Sequence, residues 1–155
     1  MEIRFAQAKD VSGLLNLLRQ VGKVHHDGRP DLFRHTAQKY SASQILAMLE
    51  DVDSPIFVAA EKEKVLGYCF CMVKDFKLDS VMADYKTLYI DDLCIDENCR
   101  GQHIGSELYD AACKYARMRK CYNVTLNVWC CNESAMKFYE SKGMQPQKIG
   151  METIL

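Results

Sequence analysis

The chain has 155 residues, 48% hydrophobic and 26% charged, with a formal net charge of -1. This is ordinary globular composition and about one domain's length of chain, so residues 1–155 read as a single domain. There is no basic excess of the kind that nucleic-acid binding by bulk charge needs, so any anion site must be local and nucleic acid is not an expected partner.

Eight cysteines occur: Cys69, Cys71, Cys94, Cys99, Cys113, Cys121, Cys130 and Cys131. The start, Met1-Glu2-Ile3-Arg4-Phe5, is acidic and alternating and lacks the apolar core of a signal peptide. No apolar run approaches the ~18 residues of a membrane span. The expectation is a cytoplasmic chain with reduced, buried thiols and no membrane partner. No Cys-x-x-Cys pair exists, so no metal site is expected.

In chain order, Ile3 and Phe5 alternate with polar residues and predict a strand. Asp10 reads as an N-cap for a helix with Val11, Leu14, Leu15, Leu18 and Val21 on one face, ending near Gly22. A loop through His25, His26 and Pro30 follows. Ser41 or Ser43 caps a second helix with Ile45, Leu46 and Leu49 inward, ended by Asp53-Ser54-Pro55. Ile56–Glu61 and Val65–Val73 form a hairpin around a polar turn. Another strand runs from Thr87 to Ile95. After the loop Asp96–Gln102, Ile104, Leu108, Ala111, Ala112, Tyr115 and Ala116 mark one face of a helix. Val124–Trp129 is a strand, Asn132 caps a helix closed by Gly143, and Gln147–Leu155 is a candidate last strand. The order implies an α/β fold with helices packed on a sheet.

Two pieces carry chemistry. The first is Arg100-Gly101-Gln102-His103-Ile104-Gly105-Ser106, a glycine-bearing turn opening a helix. Free N–H groups and the helix dipole favour an anion there, and Arg100 adds a forked donor. That is a pyrophosphate cradle, although two glycines before a helix also make an ordinary capped turn. The phosphate loop of nucleotide hydrolases and the dinucleotide fingerprint after a first strand are both absent. The second piece is Asn132 to Gly143. Asn132 and Tyr139 are seven apart, about two turns, and can share a side. Alone, they read as an N-cap and a core residue.

Together the two pieces resemble the GNAT superfamily of N-acetyltransferases. Its CoA motif is Gln or Arg, two residues, Gly, one residue, then Gly or Ala. Arg100, His103 and Gly105 hold those places, so His103 stands where the family has a glycine. Its downstream motif matches at Asn132, Ala135, Phe138-Tyr139 and Gly143. The resemblance runs from about Ile3 to the C-terminus. It implies a mixed, mostly antiparallel sheet with one splayed strand pair, flanked by about four helices. It implies acetyl-CoA as co-substrate and direct attack by a primary amine. Leu93, Cys94 and Ile95 would hold the pantetheine arm by their backbone groups at a bulge, one of them polarising the thioester. Tyr139 would protonate the leaving thiolate, with Asn132 and Ala135 near the CoA arm. Direct transfer needs no acyl-cysteine, so Cys94 and Cys99 are read as small apolar residues.

A left-handed backbone at His103 would cost roughly 1–2 kcal/mol. Its imidazole either crowds the pyrophosphate or donates to it; the sequence leaves both open.

Asp91 and Asp92 lie in the middle of an apolar strand. Away from a bulge, one should point to each face. A buried carboxylate is costly, so the pair is a candidate for handling the amine proton. Leu88–Leu93 resembles the strand in polyamine acetyltransferases that carries a Glu-Asp pair, which implies a small cationic amine acceptor. Acetylation of ribosomal-protein N-termini uses a Leu-Glu-Val strand, and here that place reads Leu126-Asn127-Val128. Asn127 cannot be a base, although protein amines in general stay open as acceptors. His25 and His26 are further candidates for the acceptor side. Trp129 and Tyr68 could shape the acceptor wall, with core packing the default reading. A non-catalytic acyl-CoA sensor on the same fold is the alternative reading. Many relatives dimerise, so a homodimer is an expectation of the resemblance alone.

Overall fold

The computed structural model describes residues 1–36 and 38–155. Five strands form one sheet in the order β1-β2-β3-β4-β5. They are β1 (Glu2–Phe5), β2 (Ile56–Glu61), β3 (Lys64–Asp75), β4 (Lys86–Ile95) and β5 (Asn123–Leu126). The first four pair antiparallel, and β5 joins β4 in parallel. A parallel neighbour needs a crossover, and the helix after β4 supplies it.

Four α-helices cover the sheet: α1 (Val11–Gly28), α2 (Ala42–Leu49), α3 (Ile104–Met118) and α4 (Glu133–Ser141). Leu14, Leu17, Leu18 and Ile45 of α1 and α2 pack on Val58, Tyr68, Phe70 and Cys94. On the opposite face, Leu108, Ala112 and Ala116 of α3 pack on Cys69, Cys71, Leu88 and Ile90, with Phe138 and Tyr139 of α4 beside them. The alternation along β3 and β4 therefore feeds two cores. Ser41 caps α2, its hydroxyl accepting from Gln44 N at 3.3 Å while Gln44 Oε1 accepts from Ser41 N at 2.8 Å. Such caps are worth about 1 kcal/mol.

Several sequence expectations are corrected. α1 does not stop near Gly22 but continues to Gly28, so His25 and His26 lie in its last turn rather than in a loop. Nothing in Lys23–Asp27 breaks a helix, and Lys23 pairs with Asp27 one turn on. Asp10 makes no side-chain cap to α1. Its carboxylate instead takes two bonds from Arg4, at 2.7 and 2.9 Å, and one from Gln7 N at 2.8 Å. Leu46 faces outward. β5 ends at Leu126, so Trp129 is outside the sheet and 40% exposed, not core. The tail from Gln147 to Leu155 forms no strand.

All eight cysteines are free; Cys69, Cys71 and Cys94 are buried, while Cys130 and Cys131 are exposed. No described helix is long and apolar enough to cross a membrane. Among the described residues, no three His, Cys, Asp or Glu side chains group as a metal site.

Candidate active site

The site begins with an irregularity in β4. β3 pairs Phe70 with Asp92 and Cys71 with Ile90, which leaves Asp91 without a partner. A bulge of one residue shifts the side-chain phase of its strand. Leu88 and Ile90 face α3, whereas Asp92 shares the α1 face with Cys94. Tyr40, stacked on Phe70, donates to Asp91, and Tyr68 donates to Asp92 at 2.9 Å. Both carboxylates therefore lie on the α1/α2 side. The strict alternation expected from the sequence fails here for that reason.

Lys39, between α1 and α2, completes the cluster. Its Nζ is 2.8 Å from Asp91 Oδ2 and donates to the Asp91 carbonyl at 2.9 Å. Burial pushes the Asp92 carboxyl above its ordinary range, and the Lys39 charge and the Tyr68 hydroxyl only partly offset it. Burial, with the adjacent Asp91, also raises the Tyr40 hydroxyl. Tyr68 is raised well above a free phenol, chiefly by burial and next by the Asp92 charge.

At the same point the sheet opens. β4 pairs with β5 from Thr87 to Ile90 and no further. Beyond Ile90, the β5 side of Asp91–Ile95 carries no strand, which is the splay the resemblance implies. Leu93 and Ile95 face the α3 core. The Cys94 side chain faces α1, and burial raises its thiol to about 12. It is a neutral core group there, in keeping with the sequence reading.

The loop after β4 is tied down by buried Asp96, which accepts from Asn98 N at 3.0 Å and Asn98 Nδ2 at 3.1 Å. Gly101 then takes a φ of 78° and His103 a φ of 61°. Both are left-handed, so the family's glycine at the His103 position answers a backbone need. A Cβ on Gly101 would meet nothing within 4 Å. The turn thus leaves open space before the first turn of α3. Ile104 is buried, Gly105 and Ser106 are half-buried, and Arg100, Gln102 and His103 are exposed. No side-chain cap covers the N-terminus of this 15-residue helix. Free amides, open space and a nearby guanidinium fit a pyrophosphate.

On the other flank, Asn132 caps α4, accepting from Ala135 N at 3.1 Å. Tyr139, seven residues on, packs into the α3 core with its ring 5.1 Å from Phe138. Burial raises its hydroxyl well above the ordinary phenol range, with Cys69 and Asp92 adding to the effect. Tyr139 and the Asp91-Asp92 pair thus approach the splay from opposite faces.

The two histidines differ. His26 Nδ1 is 2.7 Å from the Phe33 carbonyl and serves the loop backbone. His25 stacks on Phe33 at 5.1 Å, and Phe33 meets Trp129 edge-on at 5.3 Å. These three rings line a cavity of about 270 Å³ that Asn132 also borders. Lys39, Tyr40 and Phe33 were not singled out from the sequence, because an irregular loop has no periodicity to read.

A model of the acetyltransferase (GNAT) family matches residues 20–144. The chain belongs to that family. Its members generally transfer an acyl group from acetyl-CoA to amines. Among solved structures, a point mutant of the BH1408 protein from Bacillus halodurans is 33% identical, covering 100% of this chain and 99% of that one, with a TM-score of 0.94. A Trypanosoma brucei acetyltransferase is 21% identical over 99% of each chain, with a TM-score of 0.73. An aminoglycoside acetyltransferase from an uncultured soil metagenomic sample, in complex with sisomicin, is 19% identical, with 99% and 95% coverage and a TM-score of 0.73. The last two show the GNAT fold alone. No curated protein sequence matches the chain.

Proposed function

We propose that this GNAT protein acetylates a primary amine on a small cationic molecule, using acetyl-CoA in a ternary complex. The observation that carries this reading is the bulge at Asp91. It gathers two carboxylates on one face, beside the end of the β4–β5 pairing, with an ammonium already seated on Asp91. Opposite charge within hydrogen-bond reach favours a cation at that place.

Arg100 and the amides of Gly101 to Ser106, including those of Gln102, His103, Ile104 and Gly105, hold the pyrophosphate. The backbone of Leu93, Cys94 and Ile95 binds the pantetheine arm along the open side of β4, and one N–H there polarises the thioester. Asn132 and Ala135 border the arm at the start of α4. Asp91 holds the acceptor's ammonium. Asp92, whose carboxyl is raised, takes the proton that the amine must lose before it attacks. Tyr139, kept protonated by its burial, protonates the departing thiolate. His25 walls the acceptor side with Phe33, while His26 supports the loop.

Incubation with acetyl-CoA and spermidine, an aminoglycoside, free amino acids and a peptide with a free N-terminus tests this, read as release of the CoA thiol. Turnover strongest with a small cationic amine is expected. Tight acetyl-CoA binding without turnover of any amine would favour the sensor reading instead.

A further inference from the structure

The amine seated on Asp91 belongs to the protein itself. Lys39 Nζ lies 2.8 Å from Asp91 Oδ2 and donates to the Asp91 carbonyl at 2.9 Å. Asp91 is the bulged residue, next to Ile90, where the β4–β5 pairing stops. The Lys39 side chain is 43% exposed, whereas that of Asp91 is 10% exposed. One end of this ion pair is therefore fixed in the site, and the other lies on a loop open to solvent. The ammonium can therefore leave the carboxylate by moving into solvent, without unpacking either core. A tethered primary amine also has a high effective concentration at the place it reaches.

We propose that Lys39 is a self-acetylation site, modified by the protein's own transferase centre when no free amine competes for Asp91. The inference rests on the reading of Asp91 and Asp92 as the acceptor subsite. In the step, the Lys39 ammonium first loses one proton to the carboxylate pair, which passes it to solvent. The neutral amine attacks the thioester carbonyl, the N–C bond forms and the C–S bond breaks. The second nitrogen proton balances the one Tyr139 delivers to the CoA sulfur. The products are acetyl-Lys39, free CoA thiol and one proton in solution. Acetyl-Lys39 carries no charge, so it no longer competes for Asp91, and the subsite passes to a free acceptor.

The test is intact-mass measurement and peptide mapping of the full chain incubated with acetyl-CoA and no added amine. The expected result is one acetyl group per chain, on Lys39, at a first-order rate independent of protein concentration. Spermidine in the mixture should slow that rate. Lys39→Arg, which keeps a cation for Asp91, should lose the fast uptake of one acetyl group. Modification of Lys39 no faster than that of exposed Lys23 and Lys137 would overturn the proposal. Acetylated spermidine with Lys39 untouched would overturn it too and leave the functional reading standing. Transfer to neither Lys39 nor any amine would remove both.

Discussion

Tyr68 donates a 2.9 Å hydrogen bond to Asp92 from the neighbouring strand, although the register sets Tyr68 against Cys94 and Asp92 against Phe70. The contact is diagonal, and it joins a fully buried phenol to a carboxyl that burial already pushes upward. A carboxyl that accepts the amine proton works only when ionised. Activity should therefore fall as pH drops through its folded value, above the ordinary aspartate range near ~4. Tyr68→Phe removes a bond that favours the ionised form, so it should move the acid limb of the kcat/KM profile to higher pH. An unmoved limb would exclude Asp92 as the proton acceptor.

The same raised carboxyl has a stability consequence. A group whose folded value is raised contributes stability below its unfolded value and loses it as pH rises through the folded one. Above its folded value, ionised Asp92 is therefore a cost. Asp92→Asn keeps the shape and an acceptor for Tyr68, and should raise stability by about 1 kcal/mol while lowering kcat. Thermal melts at pH 7 and at acid pH check this. The gain should shrink at acid pH, where Asp92 is already neutral.

Asp10 behaves in the opposite way. Arg4 and Gln7 N outweigh its burial and hold its carboxyl below the usual range. Its contribution is present above the ordinary aspartate value and is lost as pH falls through the depressed one. Asp10→Ala takes both charged bonds from the partly exposed Arg4 and should cost about 2 kcal/mol at pH 7. Denaturant titrations should show that cost shrinking at acid pH.

Tyr139→Phe should lower kcat by about 10²-fold or more, with acetyl-CoA affinity held. The ring still packs against Phe138, so the fold should persist. Calorimetric titration beside steady-state kinetics separates the two effects. An equal loss of binding would place Tyr139 in CoA recognition instead.

His103→Gly relieves a left-handed position and should stabilise the protein by up to about 1 kcal/mol. The His103 side chain makes no cap bond to α3. Acetyl-CoA affinity should hold or improve in the variant. Weaker binding would show that the imidazole donates to the pyrophosphate.

The succession of elements from β1 to α4, most of the inward helix positions and the turn before α3 were legible in the sequence. They rest on periodicity and glycine placement, which are local signals. Leu108, Ala112 and Ala116 face the sheet as their spacing required. The extension of α1 to Gly28 was not legible, because Gly22 reads as a stop although nothing from Lys23 to Asp27 breaks the helix. The common face of Asp91 and Asp92 was hidden for a different reason. A bulge depends on which residue the partner strand skips, and one strand alone does not contain that information. Lys39 and Tyr40 reach β4 from a loop some fifty residues earlier in the chain, a contact that only the folded chain reveals.

Removing Asp91 by deletion makes the character of the bulge plain. Ile90 already stands opposite Cys71, and Asp92 opposite Phe70, and those two positions on β3 are consecutive. Closing the gap would give a regular ladder with Leu88 and Ile90 still toward α3 and Asp92 and Cys94 still toward α1. Asp91 is thus an insertion of one residue that both cores ignore. A chain lacking it should keep its fold and yet lose the carboxylate on which Lys39 rests. On the proposed reading, that single insertion supplies both the acceptor's carboxylate and the bulge beside which the thioester would lie.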